Sequence, residues 1–234
     1  MTMKPLNCIP STQDKRLQNS KIFLVITAVL LFFVSCDDGI EKSYWENGKL
    51  KSELHYENEK LEGECKWYHS NGQLWRQLTY CDGLKEGHSL RWHENGQLAE
   101  DSWYKDDELD SICLTYSEKG ILVGEAHYKA GVLDGPFKTW YENGQLFQDG
   151  QYAEGMMDGE WFIFYPDGNL ASKAVYDRGK GKQTGYDEMG CKIMEVTYLN
   201  NKKHGKEIRY ATNGAVLQEL EYENGTLVQK TDGE

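Results

Sequence analysis

From residue 44 onward the chain repeats itself, and repetition at a short fixed period constrains a fold more tightly than any other feature of this sequence. Gly48, Gly72, Gly96, Gly120, Gly144, Gly168, Gly190 and Gly214 follow one another in steps of 24 residues, except for a step of 22 between Gly168 and Gly190. Four residues before each glycine stands an aromatic: Tyr44, Tyr68, Trp92, Tyr116, Trp140, Phe164, Tyr186 and Tyr210. Eight residues after each stands a tyrosine: Tyr56, Tyr80, Tyr104, Tyr128, Tyr152, Tyr176, Tyr198 and Tyr222. No single unit of this length buries an apolar face alone, so the units must stack on one another.

Each unit reads as a β-hairpin. Asn47-Gly48, Asn71-Gly72, Asn95-Gly96, Asn143-Gly144, Asp167-Gly168 and Asn213-Gly214 are the dipeptides expected at the centre of a type I′ turn. Lys119-Gly120 and Met189-Gly190 keep the glycine alone. After the turn, a leucine six residues before the ladder tyrosine (Leu50, Leu74, Leu98) and a small apolar residue two before it (Leu54, Leu78, Ala126) share one face of an extended strand. A second, more variable turn ends at Gly63, Gly87, Gly135, Gly159 and Gly205; Ser111 replaces that glycine once, and two residues are lost around Gly179 and Gly181. The expected fold is all-β: an elongated antiparallel meander of about eight hairpins spanning 44–228, with 229–234 as a tail. Abundant glycine (24) and tyrosine (15) with four prolines fit strands and tight turns.

Trp45-Glu46-Asn47-Gly48-Lys49-Leu50, His93-Glu94-Asn95-Gly96-Gln97-Leu98 and Tyr141-Glu142-Asn143-Gly144-Gln145-Leu146, with second turns at Asp134-Gly135 and Asp158-Gly159, resemble the bacterial variant of the MORN repeat. That variant also makes up the family named as YwqK-type antitoxins. The resemblance implies a hairpin-repeat scaffold that contacts other proteins, and its antitoxin branch implies a toxin-binding or immunity-like role.

The start of the chain has a different character. Ile22 to Val34 is a thirteen-residue run in which Thr27 alone is polar, preceded by Lys15, Arg16 and Lys21 and followed by Ser35-Cys36. At 1.5 Å per residue it spans roughly 20 Å, short of the roughly 30 Å of a bilayer core. A basic segment, a short apolar run and a small residue before a cut site describe an export signal over residues 1–35. Val34-Ser35-Cys36 resembles a lipobox, with Phe33 standing where leucine is usual. The expectation is an exported, lipid-anchored envelope protein carried on Cys36, with 36–43 as a short tether.

Charge narrows the partners. The leader holds Lys4, Lys15, Arg16 and Lys21 against Asp14, leaving 22 basic and 37 acidic residues beyond it. Such a chain repels nucleic-acid phosphates and anionic headgroups. Nor does the sequence assemble a catalytic set. His55 and His127 share a phase three units apart, and His69 and His93 lie in adjacent units roughly 10 Å apart on the strand spacing, too far for one metal. Cys65 and Cys113 are two units apart, beyond disulfide reach, which favours free thiols. The acidic turn Asp106-Asp107-Glu108 with Asp110 lacks a calcium-loop pattern. The reading is a non-enzymatic binding protein without cofactor, metal or small-molecule substrate, and a carbohydrate-binding module is the least favoured alternative. The candidate surface is the face opposite the tyrosines: Glu53, Asp101, Glu125, Asp149, Glu195 and Glu219 as an acidic stripe, with Trp75 and Trp103 as anchors.

Overall fold

The computed structural model describes residues 39–233. Cys36 and the export signal lie outside the described residues. The strands are β1 (Gly39–Tyr44), β2 (Leu50–Glu57), β3 (Lys60–Leu61), β4 (Gly63–Tyr68), β5 (Leu74–Cys81), β6 (Leu84–Trp92), β7 (Leu98–Lys105), β8 (Glu108–Leu109), β9 (Ser111–Tyr116) and β10 (Leu122–Lys129). They continue with β11 (Val132–Trp140), β12 (Leu146–Ala153), β13 (Met156–Phe164), β14 (Leu170–Asp177), β15 (Lys180–Tyr186), β16 (Lys192–Leu199), β17 (Lys202–Tyr210), β18 (Val216–Glu223) and β19 (Thr226–Asp232). All nineteen belong to one antiparallel sheet in which neighbours in sequence are neighbours in space. β3 with β4, and β8 with β9, are each one return strand interrupted at a single residue. The sheet is an open meander, as its hairpin repeats predict. β1 begins inside the stretch read as tether, and β19 runs to Asp232, through most of the stretch read as tail.

The turns depart from expectation in an informative way. At the Asn-Gly sites only the glycine has positive φ (79° at Gly48, 84° at Gly144). Gly48 N–H donates to the Trp45 carbonyl and Trp45 N–H to the Lys49 carbonyl, at 2.9 and 2.8 Å. This is a type I turn closed by a left-handed glycine, the geometry that longer hairpin loops adopt. The two-residue type I′ turns lie at the other end of the unit, where Asn58 and Glu59, Asp82 and Gly83, or Ala130 and Gly131 both carry positive φ. The second-turn glycines sit further on, in the return strand. Between Leu78↔Ser89 and Tyr80↔Lys85 the register slips by two residues, a bulge that contains Gly87 at φ 84°. Ser111 holds the equivalent position at φ 113°. The short repeat is the unit without this bulge: β14 pairs with β15 in unbroken register from Ser172↔Gly185 to Asp177↔Lys180.

Among the described residues the sheet has no second layer to pack against, so its core is a narrow transverse row. Cys65, Leu78 and Ser89 face one another across successive strands, as do Ala126, Phe137 and Gly150, then Trp161 and Ala174, then Val196, Glu207 and Leu220. Cys65, Leu78, Val196 and Glu207 are essentially inaccessible. Trp161 is the centre of the densest part, stacked on Phe137 at 5.9 Å and edge-on to Tyr152 and Tyr176 at 5.0 and 6.4 Å. Burying each large side chain contributes about 1.5–3 kcal/mol.

Candidate interaction surface

Side-chain ladders join one repeat to the next, and they account for several polar residues. Asn47 Oδ1 accepts from Lys49 N–H at 3.1 Å while its Nδ2 donates to the Ser70 carbonyl of the following unit at 2.8 Å. Asn71 and Asn95 do the same with Gln73 and Glu94, and with Gln97 and Glu118. Two turn positions earlier, a chemically mixed column makes an equivalent bond. Trp45 Nε1 and Tyr141 Oη donate to the carbonyls of Tyr68 and Phe164, and His69 and His93 place Nε2 at 3.0 and 2.8 Å from the carbonyls of Trp92 and Tyr116. The sequence reading weighed His69 and His93 only as a metal pair. The signal for their role is that Trp, His and Tyr at this position all carry an N–H or O–H.

The predicted stripe forms one continuous cross-strand row on the face opposite the leucine and tyrosine ladders. Its register interleaves the acids with return-strand residues: Lys42↔Glu53↔Lys66, Leu90↔Asp101↔Leu114, Glu125↔Lys138↔Asp149 and Glu195↔Ile208↔Glu219. Every predicted acid has a partner within the sheet. Lys42 reaches Glu53 at 2.9 Å, His88 Asp101 at 2.5 Å, His127 Glu125 at 3.1 Å, Lys138 Asp149 at 3.2 Å, Lys182 Glu195 at 3.0 Å and Lys206 Glu219 at 3.1 Å. Hydrogen bonds from Lys42 and Lys182 hold the carboxyls of Glu53 and Glu195 below the usual carboxylate range. Lysines thus compensate four of the six acids, while Asp101 and Glu125 are paired with histidine rings, and such exposed pairs add little to stability.

Other carboxylates line the rim of type I′ turns, where they accept backbone N–H groups of the adjacent turn. Glu86 receives Asp106 N–H, Asp107 receives Lys85 N–H, Asp110 receives Ala130 N–H and Asp158 receives Arg178 N–H. This is what the acidic cluster around Asp106 does. Asp106 and Asp107 also occupy the two left-handed positions of their turn.

The proposed anchors stand on the same face as the paired acids. Trp75 and Trp103 are 41 and 44% exposed. Trp75 is tilted against His69 at 6.2 Å and Trp103 is stacked on His88 at 5.3 Å, so each indole is held by a neighbouring ring. Phe147 joins them, 37% exposed and tilted against Tyr141 at 5.0 Å.

Among the described residues no three His, Cys, Asp or Glu side chains are grouped to hold a metal ion. Cys65, Cys113 and Cys191 are free. Burial pushes the Cys113 thiol up to about 11 and raises that of Cys65, which removes the thiolate a nucleophile needs. Cys81, in contrast to the expectation of free thiols, is disulfide-bonded. That expectation weighed only pairings between repeats.

Repeating hairpins, stitched side chain to backbone and laid out as one sheet with two solvent-facing sides, define a β-hairpin repeat protein. The MORN repeat variant matches residues 37–58, 61–82, 85–106, 133–154, 157–178 and 203–224, more than half of the chain, and the protein belongs to that family. The two units left unmatched contain Ser111 in one case and the missing bulge in the other. No curated protein matches the chain. Among solved structures, a TcdB2-TccC3 crystal structure is 13% identical, with 83% of this chain and 14% of that one covered at a TM-score of 0.21. The Tc holotoxin pore of Photorhabdus luminescens is 14% identical, with 80% and 14% covered at a TM-score of 0.22. The chain thus spans about one seventh of those proteins, and neither likeness bears on function.

Proposed function

We propose that this MORN repeat protein is a non-enzymatic, lipid-anchored envelope protein that binds another protein through the face carrying Trp75, Trp103 and Phe147. The carrying observation is that pair of indoles, each over two-fifths exposed and each held by a histidine ring, tilted against Trp75 and stacked on Trp103, on a face whose predicted acids each have a lysine or histidine partner. Tryptophans held rigid at a surface lose little entropy on binding and dominate interface energetics. The leader and Cys36 support the anchor, and the repeats fill the whole of residues 39–233, leaving no second domain there to carry chemistry.

Two experiments test this reading. The mature chain and its Trp75→Ala/Trp103→Ala variant are used to capture partners from detergent extracts of the envelope, and the affinity of the purified pair is then measured. A specific partner bound at least about tenfold more weakly by the double variant is expected; no specific partner, or equal affinity, overturns it. Palmitate labelling that persists after Cys36→Ala overturns the anchor. An immunity-like role differs only in the partner, and sensitivity of a deletion strain to a neighbouring gene product identifies it.

A further inference from the structure

Beyond the surface described above, the opposite face carries an unbalanced charge in repeats two and three. Trp67, Arg76, Arg91 and Glu100 face one another across four successive strands. Arginines directly opposite in an antiparallel pair repel. Arg91 is compensated, its Nη2 lying 2.8 Å from Glu100 Oε2. Arg76 is not. It forms no ion pair among the described residues, and its Nε is buried without a hydrogen-bond acceptor. Diagonally across the ladder, beside Leu78↔Ser89, the Ser89 hydroxyl is also buried without a partner, in a residue only 1% exposed.

These are two of the three unpartnered buried side-chain polar atoms among the described residues, and both can donate. Buried donors are almost always satisfied in folded proteins, so these two orphans, one of them on an uncompensated guanidinium, call for an acceptor carrying negative charge. Guanidinium binds oxyanions through parallel N–H···O bonds, and a serine hydroxyl adds a third donor. We propose that Arg76 and Ser89, with Arg91 alongside, form a binding position for a small oxyanion, a phosphate or a carboxylate. The site explains why an acidic chain keeps two arginines opposite each other on the face of its hydrophobic ladder.

The test titrates inorganic phosphate and, separately, sodium acetate into the full mature chain at constant ionic strength, read by calorimetry and by thermal unfolding. Saturable binding of about one ion per chain is expected, with a concentration-dependent rise in Tm. Arg76→Gln should weaken it about tenfold or more, and Ser89→Ala by about threefold to tenfold. Binding of phosphate alone assigns a phosphate site, of acetate alone a carboxylate site. Should Arg76→Gln fail to fold, Arg76→Lys, which keeps the charge and loses the fork, and Ser89→Ala carry the comparison. Absence of saturable binding to the unaltered chain, or binding unchanged in these variants, overturns the proposal.

Discussion

The indole of Trp161 lies across the backbone of Gly150: a β-carbon at residue 150 would sit 2.5 Å from its Cε2 and closer still to Cδ2. The same indole donates from Nε1 to the Gln151 carbonyl at 3.1 Å and the Asp158 carbonyl at 3.2 Å, so it cannot swing aside without losing both. Gly150→Ala should lower the free energy of unfolding by about 1–3 kcal/mol through overpacking, and Trp161→Ala by about 3–5 kcal/mol through the cavity it leaves. Urea unfolding followed by circular dichroism checks both. A neutral Gly150→Ala would mean that the ring does not hold this position in solution.

Asn71 serves two repeats at once. Asn71→Asp keeps the acceptor for Gln73 N–H but replaces the donor to the Glu94 carbonyl with a repelling oxygen. A loss of about 1 kcal/mol is expected, and about 1–2 kcal/mol for Asn71→Ala. Asp167 already occupies the equivalent position, its second oxygen accepting from Asn169 Nδ2 at 2.9 Å. Asp167→Asn should therefore stabilise less than Asn71→Asp destabilises, as midpoint shifts in denaturant will show.

Ser111 holds a conformation suited to glycine, with φ at 113°. Ser111→Gly should stabilise the protein by about 1 kcal/mol, the relieved strain exceeding the entropy that glycine adds to the unfolded chain. The reverse change, Gly87→Ser, should destabilise by a similar amount. Differential scanning calorimetry on the two variants gives opposite shifts in Tm if the bulge geometry is right.

Glu207 is fully buried between Lys203 and Arg209, with Oε2 2.5 Å from Lys203 Nζ and Oε1 2.8 Å from Arg209 Nε. Burial alone would raise its pKa, but the two cationic partners outweigh that and hold the carboxyl below its ordinary 4.5. A depressed folded value means that the ionised form stabilises the fold above about pH 4.5, and that this stability drains away as pH falls through the folded value. Glu207→Gln should cost about 1–3 kcal/mol at pH 7, the partners' own exposure reducing the loss, and should flatten the decline in acid. Unfolding free energies at pH 7 and pH 4 for both proteins test the sign: the unaltered chain must lose more than the variant.

The sequence revealed its units because Gly48, Tyr56 and their equivalents occupy positions that geometry restricts to one kind of residue. It was less explicit about which turn was which. Asn-Gly suits both a type I′ pair and a type I turn with a closing glycine, and what separates them is the five-residue interval between Tyr44 and Leu50. The true type I′ turns use Asn58-Glu59, Ala130-Gly131 and Arg178-Gly179, pairs too varied to stand out. The acids of the predicted stripe were correctly assigned to one face by parity. Their partners were hidden because Lys138, His88 and Lys206 lie on return strands whose register depends on a bulge the period does not display. Arg76 and Arg91 escaped notice for the same reason.

Where the bulge is missing, Asn201 reaches past its immediate neighbour. Its backbone N–H donates to the Gly179 carbonyl at 3.0 Å, while its side chain crosses to Met157 N–H and the Gly155 carbonyl, each at 2.9 Å. A bare glycine at 179 leaves room, since a β-carbon would sit 2.7 Å from Asn201 Oδ1. Elsewhere the fastenings described above join adjoining hairpins, so fraying that starts at either end of the sheet can advance one hairpin at a time. Residues 155–201 are the latch where such unzipping stalls, and amide exchange slowest in that stretch would be its kinetic signature.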